Sequence, residues 1–230
     1  MKKSDILFAL CILAIFLPFA LSEPLYAGYK EFNAAHGMVM SFIKFAVLAT
    51  LGEMLGHRIS TGKYLSPTFG VVPRMVVWGI LGMGISMAMT IFSVGTPAFL
   101  STLGMDNASE LLKSDAFSGE KIIVAAAVSI AMNSIFAPVF MTLHKITDTH
   151  IAQWRGGLKS LVKPIEMTKI ITNLNWSVQW NFVFKKTIPF FWYPAHTITF
   201  LLPSEWRVLF AAFLGIVLGV ILSVAAKKQK

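Results

Sequence analysis

Residues 190–223 decide the fold of this chain, and they read FFWYPAHTITFLLPSEWRVLFAAFLGIVLGVILS. The stretch contains two apolar runs, which a short polar turn joins at residues 203–207. A proline, a histidine and two threonines interrupt the first run, whereas the second run is long, apolar and spaced by glycines. This pattern is typical of two membrane helices in a hairpin, the first of which carries polar groups into the bilayer.

The composition of the whole chain has the same character. Of 230 residues, 56% are hydrophobic and only 13% are charged, and the mean hydropathy is +0.69. A soluble domain of this length cannot bury so much apolar surface, so the composition excludes an ordinary soluble enzyme. The net charge of +9 comes from basic residues beside apolar runs, where they mark the cytoplasmic side of a membrane. We therefore predict no nucleic-acid partner.

Six apolar runs predict an all-α fold, a polytopic transmembrane helix bundle with five or six crossings. They occupy residues 6–21, 35–56, 71–94, 121–143, 188–202 and 206–226. The fifth run is short, so it either crosses the bilayer or re-enters; six crossings satisfy the positive-inside rule and put both termini in the cytoplasm. The first run is either a cleaved signal peptide or, as we prefer, an uncleaved helix.

The runs predict an additional N-terminal segment followed by one membrane domain. The additional helix and a polar connector occupy residues 1–34, and the membrane domain occupies residues 35–226, with a basic cytoplasmic loop at 144–187 and a basic tail at 227–230. Residues 148–171 within the loop alternate apolar and basic side chains at helical spacing. They predict an amphipathic helix that lies on the membrane surface and binds anionic lipid. A loop helix packed on its own protein is the equal alternative.

Polar and charged side chains inside the apolar runs are the candidate functional residues. An ionisable group in a span is costly, so it faces a partner or water, and it marks a solute or ion pathway more often than other residues do. The candidates for such a pathway are Lys44, Glu53, Asn133 and His196. The alternative for each is structural: a snorkelling lysine, an ion pair, or hydrogen bonds between helices.

Three arginines are candidates for structural ion pairs or interface anchors. Arg74 opens the third run at the level of Glu53, so these two predict a pair across the helix hairpin, for which Arg58 competes. Arg207 opens the last run, where it predicts an anchor at the membrane surface.

Small residues and prolines predict where helices pack. Glycines four residues apart let two membrane helices approach closely, within one chain or in a homo-oligomer. The candidate packing positions are Gly52, Gly56, Gly82, Gly215, Gly219, Pro138, Pro194 and Pro203. The sequence contains no nucleophile elbow, no zinc-protease motif and no phosphate-binding loop, and it has one cysteine. We therefore predict that the protein is no enzyme and binds no metal or other cofactor.

Four short stretches resemble the Mpv-seventeen/peroxisomal membrane protein family of small multi-span proteins. The first runs from His36 to Gly52-Glu53, with Glu where the family has Asp, and the second is an arginine followed by glycines. The third resembles a Gln-Gly-x-Phe-Ala-Pro stretch, and the fourth resembles the C-terminal signature of Trp-Pro, an aromatic, Val-Pro and Arg. The residues that carry the last three are Arg74, Gly82 and Gly84; Asn133 to Pro138; and Trp192, Pro194, Phe200, Pro203 and Arg207.

The resemblance covers most of residues 35–223 and implies a channel or facilitator for small solutes or ions. It also implies the cytoplasmic membrane of a bacterium, or alternatively an organelle membrane. This chain departs from the family at Met87-Ala88, at Phe92-Ser93 and at Lys44, so the lining of a pore would differ too. The alternative function is a non-conducting scaffold that organises the membrane by binding lipid or a protein partner.

Overall fold

The computed structural model describes residues 2–228, and side chains as far as residue 220. All regular elements in this part of the chain are helical, as predicted. They are α1 (Lys3–Leu21), α2 (Glu23–Ala35), α3 (Gly37–Thr61), α4 (Val71–Thr102), α5 (Ala108–Lys113), α6 (Gly119–Gln153), a 3₁₀ turn (Leu158–Leu161), α7 (Met167–Thr172), α8 (Trp176–Val178), a π-helix (Gln179–Trp192), α9 (Tyr193–Leu201) and α10 (Ser204–Lys228). The predicted basic tail, residues 227–230, lies outside the described side chains.

Four helices among the described residues are long and apolar enough to cross a membrane. They are α1, α3, α4 and α6, of 19, 25, 32 and 35 residues. No side chain of α1 is buried, and its mean hydropathy over an 18-residue window is 2.4. A helix that is apolar on every side and exposed on every side requires an apolar solvent, which fits a membrane protein.

The chain divides into two compact units, residues 1–40 and 41–230. In the first unit, the residues of the predicted polar connector form a short helix, α2 (Glu23–Ala35), which is not among the four helices that could cross a membrane. The hydroxyl of Ser22 accepts a hydrogen bond from the backbone of Leu25, and Pro24 follows in the first turn. Both residues favour a helix start. The rings of Phe19 and Tyr29, 5.6 Å apart, pack α1 against α2.

In the second unit, two of the predicted packing glycines, Gly52 and Gly82, lie at close contacts of α3. A Cβ atom added at Gly52 would lie 2.9 Å from the Cα of Ile216, and one at Gly219 would lie 3.5 Å from the Gly52 carbonyl. Gly82 of α4 leaves room for the side chain of Phe45. Gly215, by contrast, has no neighbour within 4 Å of an added Cβ. The glycines of α3, α4 and α10 thus pack these helices against each other within one chain.

The predicted surface helix over residues 148–171 is wrong. The fourth apolar run continues as α6 to Gln153, through Pro138, and the chain then turns at Arg155 and Gly156, which both have positive φ. Ile151 is buried at the end of α6, so its apolar side chain belongs to the core rather than to a lipid-facing stripe. Only a 3₁₀ turn and the short helix α7 follow.

The turn after α6 holds the start of α4 in place. Gly70, which precedes α4, and Gly156 both have positive φ. Their backbones lie so close together that a side chain on either glycine would clash with the other. A Cβ atom at Gly156 would lie 2.6 Å from the backbone nitrogen of Gly70. This contact brings the first turn of α4 to the last turns of α6.

The fifth apolar run is the end of a longer helical series that starts at Trp176. A π-helix spans Gln179–Trp192, and α9 continues from it with Pro194 in its first turn. Arg207 of α10 closes the hairpin, because its guanidinium donates to the carbonyl oxygens of Leu202, at 3.0 Å, and Phe200, at 3.1 Å. It therefore satisfies carbonyl groups that the end of α9 leaves open.

Candidate functional site

The largest ionic cluster in the described residues is partly buried and lies where α3, α4 and α6 meet. Its members are Glu53, Arg74, His144 and Asp148, which we call the charged cluster. The guanidinium nitrogen Nη1 of Arg74 contacts carboxylate oxygens of both Glu53 and Asp148. The predicted pair of Glu53 and Arg74 is therefore present, and Asp148 is a third member that the sequence did not suggest.

His144 completes the charged cluster on the side of α6. Its Nε2 lies 3.0 Å from Glu53 Oε1 and 3.7 Å from Asp148 Oδ1. A carboxylate can only accept, so the imidazole donates the hydrogen bond to Glu53. The ring of Trp78 lies 4.4 Å from that of His144 and covers it. The side chains are only 13% to 24% exposed, so this network is largely removed from solvent.

Local packing explains how Arg74 reaches both carboxylates. The Nε of Arg74 donates to the Phe69 carbonyl at 2.6 Å, and the guanidinium lies over the Phe69 ring at 4.7 Å. These two contacts with Phe69 hold the Arg74 side chain in the position from which it reaches Glu53 and Asp148. Arg58, which was expected to compete for Glu53, instead donates to the Gly62 carbonyl at 2.9 Å.

The charged cluster also contains a set of potential metal ligands. One ligand atom from each of Glu53, His144 and Asp148 lies within 4.8 Å of the others. The guanidinium of Arg74, however, already bridges the two carboxylates with a positive charge. A cation would have to displace it, so this arrangement favours an internal ion-pair network over a metal centre.

A neutral polar group lies further along α6. The amide of Asn133 approaches His196 Nδ1 at 2.9 Å, and its Nδ2 also donates to the Ser129 carbonyl at 2.8 Å. Ser129 Oγ donates to the carbonyl of Tyr193 at 2.8 Å. All of these side chains but Tyr193 are buried, and Ser129, Asn133 and His196 fix α9 on α6. We call these three residues the neutral group.

A cavity of about 390 Å³ connects the charged cluster with the neutral group. Glu53, His144 and Asp148 line it at one end, and Asn133 and His196 line it further in. Most of the remaining wall is apolar, and it includes the glycine face of α10. Three predicted pathway residues, Glu53, Asn133 and His196, therefore converge on one space.

A second cavity, of about 620 Å³, lies on the other side of the charged cluster. Glu53 and Asp148 line both cavities, as do Trp78 and Lys145. Arg74 and the hydroxyls of Ser60, Ser66 and Thr68 line the second cavity only. The two spaces therefore adjoin at the charged cluster.

Three buried polar atoms around the inner cavity make no hydrogen bond within the described chain. They are Trp78 Nε1, Trp192 Nε1 and Gln179 Oε1, all on residues that line the cavity. A buried polar group without a partner is rare in folded proteins and needs an explanation, such as water or a bound molecule. The π-helix supplies two of them, and π-helical segments are frequent at functional sites.

Lys44 does not join the other pathway candidates. It is buried in α3, at 7% exposure, but it is not among the residues that line either cavity. Neighbouring side chains on α3 explain the separation. Phe45 and Ala49 face the inner cavity, whereas Lys44 lies on another face of the same helix.

The sequence missed His144, Asp148 and the π-helix residues. The first two are four residues apart on α6 and face Glu53, but the fourth run was predicted to end at residue 143. Buried Ile146 and Ile151 continue the apolar spacing past that point, and this was the available signal. No family model, curated protein sequence or solved structure matches this chain, so the resemblance to the Mpv-seventeen family stays a prediction.

Proposed function

We propose that this protein is a channel or facilitator for small solutes, with the charged cluster as a closed gate. One observation carries the proposal: Glu53, Asn133 and His196, from three different helices, line one cavity. The resemblance to the Mpv-seventeen family supports the same function. Buried polar groups that converge from several membrane helices are typical of a solute pathway.

The walls of the inner cavity favour uncharged solutes over ions. An ion that leaves water needs a ring of charges or carbonyl groups to replace its hydration shell. The cavity offers mainly apolar and aromatic side chains, with the amide of Asn133, the imidazole of His196 and the free indole N–H groups as polar contacts. These suit a small neutral molecule that has hydroxyl or carbonyl groups.

The proposal includes six crossings of a bacterial cytoplasmic membrane. Helices α1, α3, α4 and α6 supply four, and the helical series that ends in α9, followed by α10, supplies the fifth and sixth. With Lys2 and Lys3 in the cytoplasm, the charged cluster then lies on the cytoplasmic side. The junction of α9 and α10 lies on the opposite side.

The test is solute uptake by liposomes that contain the purified protein, measured by light scattering with small polyols and separately with ions. Asn133→Leu puts an apolar side chain where the amide lines the cavity, and we expect it to lower uptake at least fivefold. Glu53→Gln removes one of the two charges that hold Arg74, and we expect uptake to rise by a similar factor because the charged cluster, where the two cavities adjoin, loosens.

Lys44→Met is the matched control, since Lys44 is buried in the same helix as Glu53 but lines neither cavity. We expect its uptake to stay within twofold of the unchanged protein. Uptake no greater than in empty liposomes for every solute would contradict the proposal. The scaffold alternative used the glycine faces as surfaces for a partner. Gly52 and Gly82, however, pack against residues of the same chain, which weakens this alternative.

A further inference from the structure

A third cavity, of about 510 Å³, lies at the end of α6 opposite the charged cluster. The end of α4, α5 with the loop after it, the start of α6 and the junction of α9 and α10 enclose it. Its charged lining residues are Lys113, Lys121 and Arg207, with Asp115 as the single acid. Three cations and one carboxylate give this basic pocket a net charge of +2.

Lys121 is the most constrained of these cations. It is only 6% exposed, and its ammonium group donates to the carbonyl of Ser114. No carboxylate oxygen of the described residues lies within 4.0 Å of this ammonium group, the distance that defines an ion pair. An ammonium has three donors, so two remain for other partners. Since a buried charge without a counter-charge is costly, an external anion would lower that cost.

The other cations also lack an acidic partner at ion-pair distance in the described residues. Arg207 spends two of its five donors on the carbonyls of Leu202 and Phe200, and Lys113 is exposed at the rim. The remaining acids of this region, at 106, 110, 120 and 205, do not line the pocket. Asp115 in the lining and Glu205, which acts electrostatically on Arg207, therefore offset the positive charge of the pocket only in part.

The pocket also offers uncharged donors. Four serine hydroxyls line it, and Ser204 among them begins α10. The first backbone N–H groups of a long helix carry a positive partial charge and favour an anion at that end. Hydroxyls, ammonium groups and a guanidinium together make a donor set that suits the oxygens of a phosphate. The serines are Ser93, Ser109, Ser114 and Ser204.

We propose that the basic pocket binds a phosphate group, from an anionic lipid headgroup or from free phosphate. Free phosphate, like a phosphate monoester, carries a charge of about −1.5 to −2 near neutral pH, which is close to the +2 of the lining. The phosphodiester of a lipid carries one charge, and the pocket has room for its headgroup. This site is separate from the inner cavity and does not depend on solute flux.

The experiment measures thermal unfolding of the detergent-solubilised full chain by tryptophan fluorescence. One arm adds inorganic phosphate against chloride at equal ionic strength, and a second arm adds phosphatidylglycerol against phosphatidylcholine. We expect phosphate or phosphatidylglycerol to raise the midpoint, because a ligand of the folded state stabilises it. Lys121→Met should weaken the apparent affinity at least tenfold, and Lys113→Gln at least threefold.

Lys159→Met is the control, since it removes one positive charge from an exposed site beyond the far end of α6. The apparent affinity of this variant for phosphate or phosphatidylglycerol should stay within twofold of that of the unchanged protein. A response to phosphate identifies a free anion, and a response to phosphatidylglycerol alone identifies a lipid. No response in either arm would overturn the proposal, and so would a response of Lys113→Gln and Lys121→Met equal to that of the unchanged protein. Lys113 is exposed, so its variant tests the site even if Lys121→Met does not fold.

Discussion

The two ends of α6 differ in whether the cation there has a carboxylate partner within the described chain. At the charged cluster, Arg74 bridges Glu53 and Asp148, so the cation and its counter-charges come from the same chain. At the basic pocket, Lys121 is even less exposed, but its contact is a backbone carbonyl and no carboxylate pairs with it. A buried charge that is paired within the chain holds helices together, whereas a charge without an internal ion pair is available to a ligand.

The largest effect should come from Arg74→Leu. This change leaves Glu53 and Asp148 as two neighbouring carboxylates without their cation, and breaking a buried ion pair on one side costs about 3–5 kcal/mol. The free energy of unfolding in detergent micelles, measured by denaturant titration, should fall by this amount. Arg74→Lys keeps the charge but not the planar fork, so its loss should be smaller. Equal losses for both variants would show that charge compensation is not what stabilises this end.

The next effect tests how the chain brings Arg74 to α6. Gly70→Ala forces an alanine into a left-handed conformation and pushes its Cβ into Gly156, which together should cost about 2–4 kcal/mol. Gly104 lies in the loop after α4 and has φ of +95 with open space around it. Gly104→Ala should therefore cost only the conformational part, about 1–2 kcal/mol. The difference between the two midpoints in the same titration measures the glycine contact, and no difference would contradict it.

A smaller effect is expected between the two ends, at the neutral group. Asn133→Leu removes the amide contact with His196 on α9 and a contact with Ser129 inside α6. Only the first joins two helices, and a hydrogen bond between membrane helices is worth about 0.6–2 kcal/mol. We expect a loss within that range in the same denaturant titration. His196→Ala also removes a buried ring that lies 4.9 Å from that of Trp192, so it has a loss of its own. The variant that combines it with Asn133→Leu should nevertheless lose less than the sum of the two single losses, because both remove one shared contact. Additive losses would show that the two side chains act independently.

The smallest effect should come from Lys121→Met in phosphate-free buffer. No acid loses its partner in this variant, so the free energy of unfolding should stay constant or rise by about 0–1 kcal/mol. The contrast with Arg74→Leu, in the same assay, is the direct test of the difference between the two ends. A loss comparable to that of Arg74→Leu would mean that Lys121 has a counter-charge within the chain.

The sequence predicted the helices of this fold better than it predicted their ends. Apolar runs located α3, α4 and α6, because a membrane span must be long and nearly free of charge. The same rule misplaced the end of α6, since His144 and Asp148 look like loop residues until Glu53 and Arg74 supply their partners. Residues 148–171 show a related error: buried Ile151 gave the amphipathic spacing that was assigned to a surface helix.

The candidate site was predictable residue by residue but not as an arrangement. Glu53, Asn133 and His196 stood out because polar groups in spans are rare, and Lys44 stood out for the same reason. Rarity alone does not say which face of a helix a residue occupies. His196 met Asn133 only because the π-helix and α9 pack along α6, and a single sequence carries no signal for that contact.

The glycine contact between α3 and α10 has a consequence for biogenesis. Synthesis proceeds from the N-terminus, so all four residues of the charged cluster have been made before α10 emerges. Until then the Gly52 face of α3 lacks its neighbour Ile216, and the part of the inner cavity wall that Ala211 and Gly215 form is missing. A nascent chain that stalls after α9 can form its ion pairs but leaves the cavity open to lipid along one side.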